Sequence, residues 1–349
     1  MTPRQWLLSL VIVGLILSLA PSWSPSSSLR GLEGQAQTSQ AVQAKAERLL
    51  KLGQAQLKAF QVEAARQSWQ QALGFYRQLQ DRRSEGHVLG LLGDAYIVLG
   101  NYDQGMDHYQ RSLAIARETK DRQGEVKALM RLGMVGYDNW GDYNKAIDYY
   151  QQGLAIAREI KDRQSEVEIL WQLGSNHEGL STTHDYGGDK TITIDYYQQS
   201  LALARKIKDR RGEGAALGAL GTVYSNRGDY NKAIDYYQQS LAIAREIKDR
   251  QGEVNGLWSL GGTYRDLEDY STAIDYYQQS LAIARETKDR RGEGSALGAL
   301  GVVYEALRDC NKAIDYYQQS LTIERELKNR PYGGYVYLSE PRQCRGGSK

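Results

Sequence analysis

The chain has 349 residues with 44 basic and 42 acidic side chains, and a net charge of +2 gives no electrostatic case for nucleic acid or an anionic membrane surface. Its two cysteines, Cys310 and Cys344, are too few for a disulfide framework, and their spacing fits no metal site. No proline lies between Pro25 and Pro331, which leaves about 300 residues free for uninterrupted helices.

Residues 1–20, MTPRQWLLSLVIVGLILSLA, place one basic residue, Arg4, ahead of an apolar run from Trp6 to Ala20. That run is short for a membrane span, which needs about 20 residues. It reads as a secretory signal, so the protein is expected to be exported, periplasmic or extracellular. An uncleaved membrane anchor at residues 6–20 is the alternative, and only then is a membrane a partner. The run PSWSPSSS, residues 21–28, reads as a spacer, and residues 1–36 are assigned to leader and spacer together.

Residues 37–330 hold a repeat. Seven copies lie end to end at 43–82, 83–122, 123–163, 164–210, 211–250, 251–290 and 291–330. In repeat five, Leu217, Leu220, Gly221 and Tyr224 fall at i, i+3, i+4 and i+7, one stripe of a 3.6-residue helix. A second helix carries Tyr230, Ala233, Ile234, Tyr237, Leu241 and Ala244 at the same kind of spacing. Arg227-Gly228-Asp229 between them supplies a left-handed stop and then an N-capping side chain. Each repeat is a helical hairpin, and a single hairpin cannot bury its apolar stripe, so the hairpins must stack. Repeat three carries an extra residue near Asn139-Trp140, and repeat four carries an insertion between its helices, Gly179 to Ile192. In EIKDR, the end of repeat five, Glu246 is placed to pair with Arg250 four residues on, and the charge run reads as a solvated edge. Cys310 stands where Tyr230 and Tyr270 stand in sister repeats; drift at a packed position and a disulfide to Cys344 are both open readings. Residues 331–349 carry no helical stripe and form an irregular tail. Tyr332, Tyr335, Tyr337 and Leu338 are its candidates for covering the last helix, with another chain or a truncated gene product as the alternatives.

The spacing Leu217, Leu220-Gly221, Tyr224, Ala233, Tyr237 and Ser240, recurring seven times in register, resembles the tetratricopeptide repeat. The resemblance implies an all-α fold: a right-handed α-solenoid of seven tetratricopeptide hairpins, an alpha-alpha superhelix with a concave protein-binding groove. The longer, proline-free second helix is similar to the 40-residue repeats of kinesin light chain and of spindle-orientation adaptors. With such a leader, the chain also looks like the repeat arms of exported bacterial proteins that end in a caspase-like CHAT domain. Lys127 and Arg131 match the basic positions of the family's chaperone-tail clamp, but its asparagine positions hold Gln54 and Leu91. The adaptors' asparagine ladder is absent at Ala219 and Thr222, Ser259 and Gly262, and Ala299 and Val302.

No chemistry-bearing constellation is present in the sequence. The glycines at 212, 214, 218 and 221 imitate a phosphate loop, but a helix precedes them where a dinucleotide site needs a strand. His87, His108, His177 and His184 show no paired-ligand spacing, and no nucleophile–base–acid set is recognisable. Catalytic residues, metal ligands and cofactors are therefore expected to be none, and a protein or peptide is the expected partner.

The stripe opposite the core of each first helix, at positions equivalent to Ala215, Gly218, Thr222 and Ser225, varies between repeats. The resemblance places it on the concave face. Its non-repetitive side chains are the candidate protein-binding residues: Lys127, Met130 and Arg131 in repeat three, then Trp171 and Glu178 in repeat four. Asn226 in repeat five, Trp258, Arg265 and Asp266 in repeat six, and Glu305 in repeat seven complete the set. Trp and Arg commonly dominate binding energy; space-filling between adjacent first helices is the other reading of Trp171 and Trp258.

Overall fold

A computed structural model describes residues 25–140, 142–184 and 190–328, with side chains for 39–136, 142–181 and 190–327. Every described element is a helix. In chain order these are α1 (Pro25–Lys58), α2 (Val62–Gln78), α3 (Arg82–Val98), α4 (Tyr102–Glu118), α5 (Arg122–Trp140), α6 (Tyr143–Glu159) and α7 (Arg163–His184). Then follow α8 (Thr191–Ile207), α9 (Arg210–Asn226), α10 (Tyr230–Glu246), α11 (Arg250–Asp266), α12 (Tyr270–Glu286), α13 (Arg290–Ala306) and α14 (Cys310–Lys328). The chain divides between Ala128 and Leu129 into two compact units. In the first, α1 to α4 pack in succession; in the second, α6 to α14 do. This is the all-α array of stacked hairpins that the repeat spacing predicts. The leader, the tail from 331 and Cys344 lie outside the described residues, so the capping of α14 and the cysteine pairing do too.

Each hairpin is built from the same local rules. In repeat five, Asp209 caps α9 by accepting from the Gly212 amide at 3.0 Å, and Asp229 caps α10 by accepting from the Lys232 amide. Gly228 turns the chain between them at φ 76°, a conformation that costs glycine little. The turn to the next repeat uses Lys248 instead, at φ 57°. Leu217, Leu220, Val223, Ala233, Tyr237 and Leu241 are buried, and a Cβ on Gly221 would lie 2.6 Å from the Tyr237 ring. Close approach of α9 and α10 is therefore what the helical glycine provides. The Tyr224 ring, half-buried, stacks on Tyr236 at 5.4 Å, and Tyr264 on Tyr276 at 5.5 Å.

Two elements run further than the repeat spacing predicts. α1 begins at Pro25, inside the Ser- and Pro-rich run, and proline is compatible with a first helical turn. α7 continues to His184, so the repeat-four insertion begins as added helix rather than loop.

The charged run at the hairpin junctions differs from the sequence reading. Lys248 ends the helix, so Glu246 and Arg250 belong to different helices and do not pair. Glu246 instead meets Arg210 of α9, and Arg250 meets Glu286 of α12 at 2.9 Å. Between them sits a buried carboxylate: Glu253 accepts from Arg245 at 3.0 Å and from Arg250 at 2.9 Å. Glu85, Glu125, Glu166 and Glu213 are buried in the first turn of α3, α5, α7 and α9 and repeat the arrangement. Burial opposes ionisation of Glu253, but the two arginines outweigh it and hold its carboxyl below the ordinary value. The edge is thus an ion ladder in which a buried first-turn glutamate ties one hairpin to the next, while its outer anions, such as Glu246 and Glu286, stay exposed.

Candidate functional site

On the first-helix face of the second compact unit, α7, α9 and α11 enclose a groove of about 500 Å³. Its floor is small because repeat five contributes Gly214, Ala215, Gly218 and Thr222, the near-blank stretch of the variable stripe. Trp171 bounds it on α7, Asn255 and Ser259 on α11, and Tyr237 of α10 reaches it from below. An adjoining groove of about 470 Å³ lies between α7 and α9, with Glu168, Trp171 and Arg211 in its lining. The walls of that groove desolvate Glu168 and push its carboxyl above the ordinary range.

The two candidate tryptophans behave differently. Trp171 is half-buried, tilts against Tyr197 with ring centroids 6.3 Å apart, and donates its indole N–H to the Ala215 carbonyl at 3.3 Å. It fills space between adjacent first helices while forming a wall of both grooves. Trp258, by contrast, is 45% exposed on α11.

Glu178 and Asn226 come together across α7 and α9: Asn226 Nδ2 donates to Glu178 Oε1 at 3.4 Å, and the Tyr197 hydroxyl donates to Oε2 at 3.3 Å. Burial drives the Glu178 carboxyl above its ordinary value, against those two donors and Lys190. Arg265 is half-buried and pairs with Asp266 at 2.7 Å. Glu305 accepts from the Tyr317 hydroxyl at 2.8 Å. Lys127 is exposed in the first compact unit; Met130 and Arg131, both half-buried, belong to the second. Of the ten candidates, Trp171 lines these two grooves, and Arg211, Asn255 and Ser259 join it there without having stood out in sequence.

Sequence reasoning also missed the hydroxyls under this face. The second-helix tyrosine of repeats two to seven, Trp69 in repeat one, reads as a core residue, and its ring is one. Its hydroxyl, however, reaches the first-helix face: Tyr109 donates to Asp94 at 2.8 Å, Tyr237 to Thr222 at 3.1 Å. The available signal was the choice of ring. The chain has 25 Tyr and 2 Phe, and a purely apolar slot has no need of a hydroxyl.

Among the described residues no group of three or more His, Cys, Asp or Glu is placed to hold a metal, and no helix is long and apolar enough to cross a membrane. The helix N-termini that imitate phosphate loops are occupied by their own caps, as Asp289 does for the Gly292 amide at 3.0 Å.

An all-α array of capped hairpins with a grooved first-helix face defines a helical-repeat protein. The chain belongs to the tetratricopeptide repeat family, whose model matches residues 84–159, 191–246 and 253–326. Solved structures of similar fold include a signal-transduction ATPase of the STAND class with a tetratricopeptide repeat sensor, from Pyrococcus horikoshii (TM-score 0.67, 17% identity, 82% of this chain). The chain spans 44% of that protein's length. RapI in its apo form matches with TM-score 0.63 and 15% identity over 82% of this chain and 100% of that one. A Rap protein complexed with competence and sporulation factor matches at 0.59 and 15%, over 82% and 76% of the two chains. No curated protein matches by sequence search.

Proposed function

We propose that this protein is a non-enzymatic protein–protein interaction scaffold that holds a segment of another protein on the first-helix face of repeats four to six. The observation that carries the reading is the groove over α7, α9 and α11, floored by small residues and bounded by Trp171. Small floor residues give a segment room to lie against the helices, and an aromatic wall supplies an anchor. A Rap neighbour whose solved complex contains competence and sporulation factor lends support as an array of this fold that binds a partner. The leader supports export. The candidate side chains of repeats four to six, Trp171, Glu178, Asn226, Trp258, Arg265 and Asp266, are the proposed contacts.

Capture from envelope fractions with the full chain, compared with Trp258→Ala and Arg265→Ala, tests this reading. A partner retained by the native protein and lost from both variants supports it; identical capture by all three leaves the face without a role. Fractionation tests export, since full-length protein found only in the cytosol would refute it.

A second reading is a sensing arm of a larger protein, the CHAT peptidase being the case that the leader and repeats resemble. The Pyrococcus horikoshii neighbour favours it, because there such an array is the sensor of a longer protein. A CHAT reading frame immediately downstream would support it.

A further inference from the structure

Resting on the reading that this face takes a protein segment, we propose that the notch at Gly262, above the Tyr277 hydroxyl, accepts a carboxylate side chain of that segment. Tyr277 is fully buried, and its hydroxyl has no hydrogen-bond partner. A Cβ placed on Gly262 would stand 3.6 Å from that oxygen and meet nothing else within 4 Å. The hydroxyl therefore faces the space that the glycine leaves on α11 but is shielded from solvent, so an entering acceptor must part the cover over it. A buried donor left unpaired is unfavourable, so a group that enters the notch and accepts from it gains the bond that the fold withholds.

Sister hairpins show which chemistry fits. Thr222 occupies the equivalent position in repeat five and Asp94 in repeat two, each one residue after the close-packed glycine and fifteen before the tyrosine. Repeats four and seven fill the slot from one turn further along, with Glu178 and Glu305. Three of these four partners are carboxylates. In repeat six no side chain does this: Gly262 has none, and the position in register with Glu178 and Glu305 holds Arg265, a cation that pairs with Asp266.

The surroundings favour an anion. Burial pushes the Tyr277 phenol up to about 12, so it stays a neutral donor at physiological pH. The Arg265 charge acts on the same hydroxyl, opposed by the smaller effect of its partner Asp266, and a hydrogen bond to a carboxylate is roughly twice as strong as one between neutral groups. Trp258, one turn before Gly262 on the same stripe and 45% exposed, offers a wall for the apolar part of the incoming residue.

Selection of a displayed dodecapeptide library on the full chain tests the assignment. The expected winners carry an Asp or Glu whose change to Asn or Gln weakens binding about tenfold or more. On Gly262→Thr, which copies repeat five, and on Tyr277→Phe, the acidic peptide binds only as well as its amide form. Trp258→Ala weakens both forms alike. Peptides that depend on Trp258 but are indifferent to Gly262→Thr and to the acid-to-amide change would overturn the subsite and leave the face intact. Equal binding of the amide form would show a neutral acceptor and overturn the carboxylate. Failure to enrich any peptide sensitive to Trp258→Ala would overturn both readings.

Discussion

Repeats five and six carry the same second helix, residue for residue, from Ala233 to Glu246 and from Ala273 to Glu286. Yet Tyr237 has its hydroxyl satisfied by Thr222, while Tyr277 has none, and Ser280 is unpaired where Ser240 donates to the Gly214 carbonyl. The larger sequence difference is in the first helix, RRGEGAALGALGTVYSN against RQGEVNGLWSLGGTYRD, which supplies Thr222 in one hairpin and Gly262 in the other. A shared half builds the stack; a varied half decides what the exposed face leaves unfinished. Identical cores thus coexist with unlike surfaces, and the two classes of residue should answer differently to mutation.

Positions common to both hairpins should give the largest and most equal losses. A Cβ on Gly261 would lie 2.8 Å from the Tyr277 ring, as one on Gly221 lies 2.6 Å from Tyr237. Gly221→Leu and Gly261→Leu are each expected to lower stability by about 3 kcal/mol in urea unfolding. A loss in one hairpin only would mean that their cores are not equivalent.

The ion ladder is the next shared feature. Glu253→Gln should cost about 2 kcal/mol at neutral pH, the range for hydrogen bonds to charged groups. Because the folded-state pKa of Glu253 is lowered, its contribution is full above the ordinary value of 4.5 and is lost as the pH falls through the folded value. Native protein and variant should therefore converge on acidification. A gap that widens toward acid would contradict the assignment.

Smaller, and opposite in sign, is the effect at the position where the hairpins differ. Gly262→Thr should raise stability by about 1 kcal/mol, by giving Tyr277 a partner and replacing a helical glycine. Thr222→Gly should lower it by a similar amount. Neighbouring glycines, 261 and 262, would then respond in opposite directions, which unfolding midpoints with unchanged m-values would show.

Helices, hairpin boundaries and the Gly228 turn were legible because each follows from spacing within one repeat. The ladder was not. Arg210 and Glu246 stand 36 residues apart and meet only when α9 and α10 close into a hairpin, and Arg245 meets Glu253 only when the next hairpin stacks, whereas the four-residue pairing of Glu246 with Arg250 fails because Lys248 takes a left-handed conformation between them. Trp171 was legible as a distinctive side chain, but its place as a wall between α7 and α9 needed the packing. The groove was hidden for a related reason: a row of small residues reads as blank until the helices beside it give it depth. Likewise the notch depends on a residue and a tyrosine fifteen positions on, and that offset acquires meaning only once one hairpin has shown Thr222 under the hand of Tyr237.

Unfolding of Tyr237→Phe beside Tyr277→Phe isolates the hydroxyls, since the ring and its packing against glycine stay in place. The loss of a paired hydroxyl should cost about 1 kcal/mol in Tyr237→Phe. Tyr277→Phe, which removes an unpaired one, should be neutral or stabilising. Equal losses in the two variants would contradict the account, because they would show that Tyr277 is already satisfied and that repeat six leaves nothing open on its face.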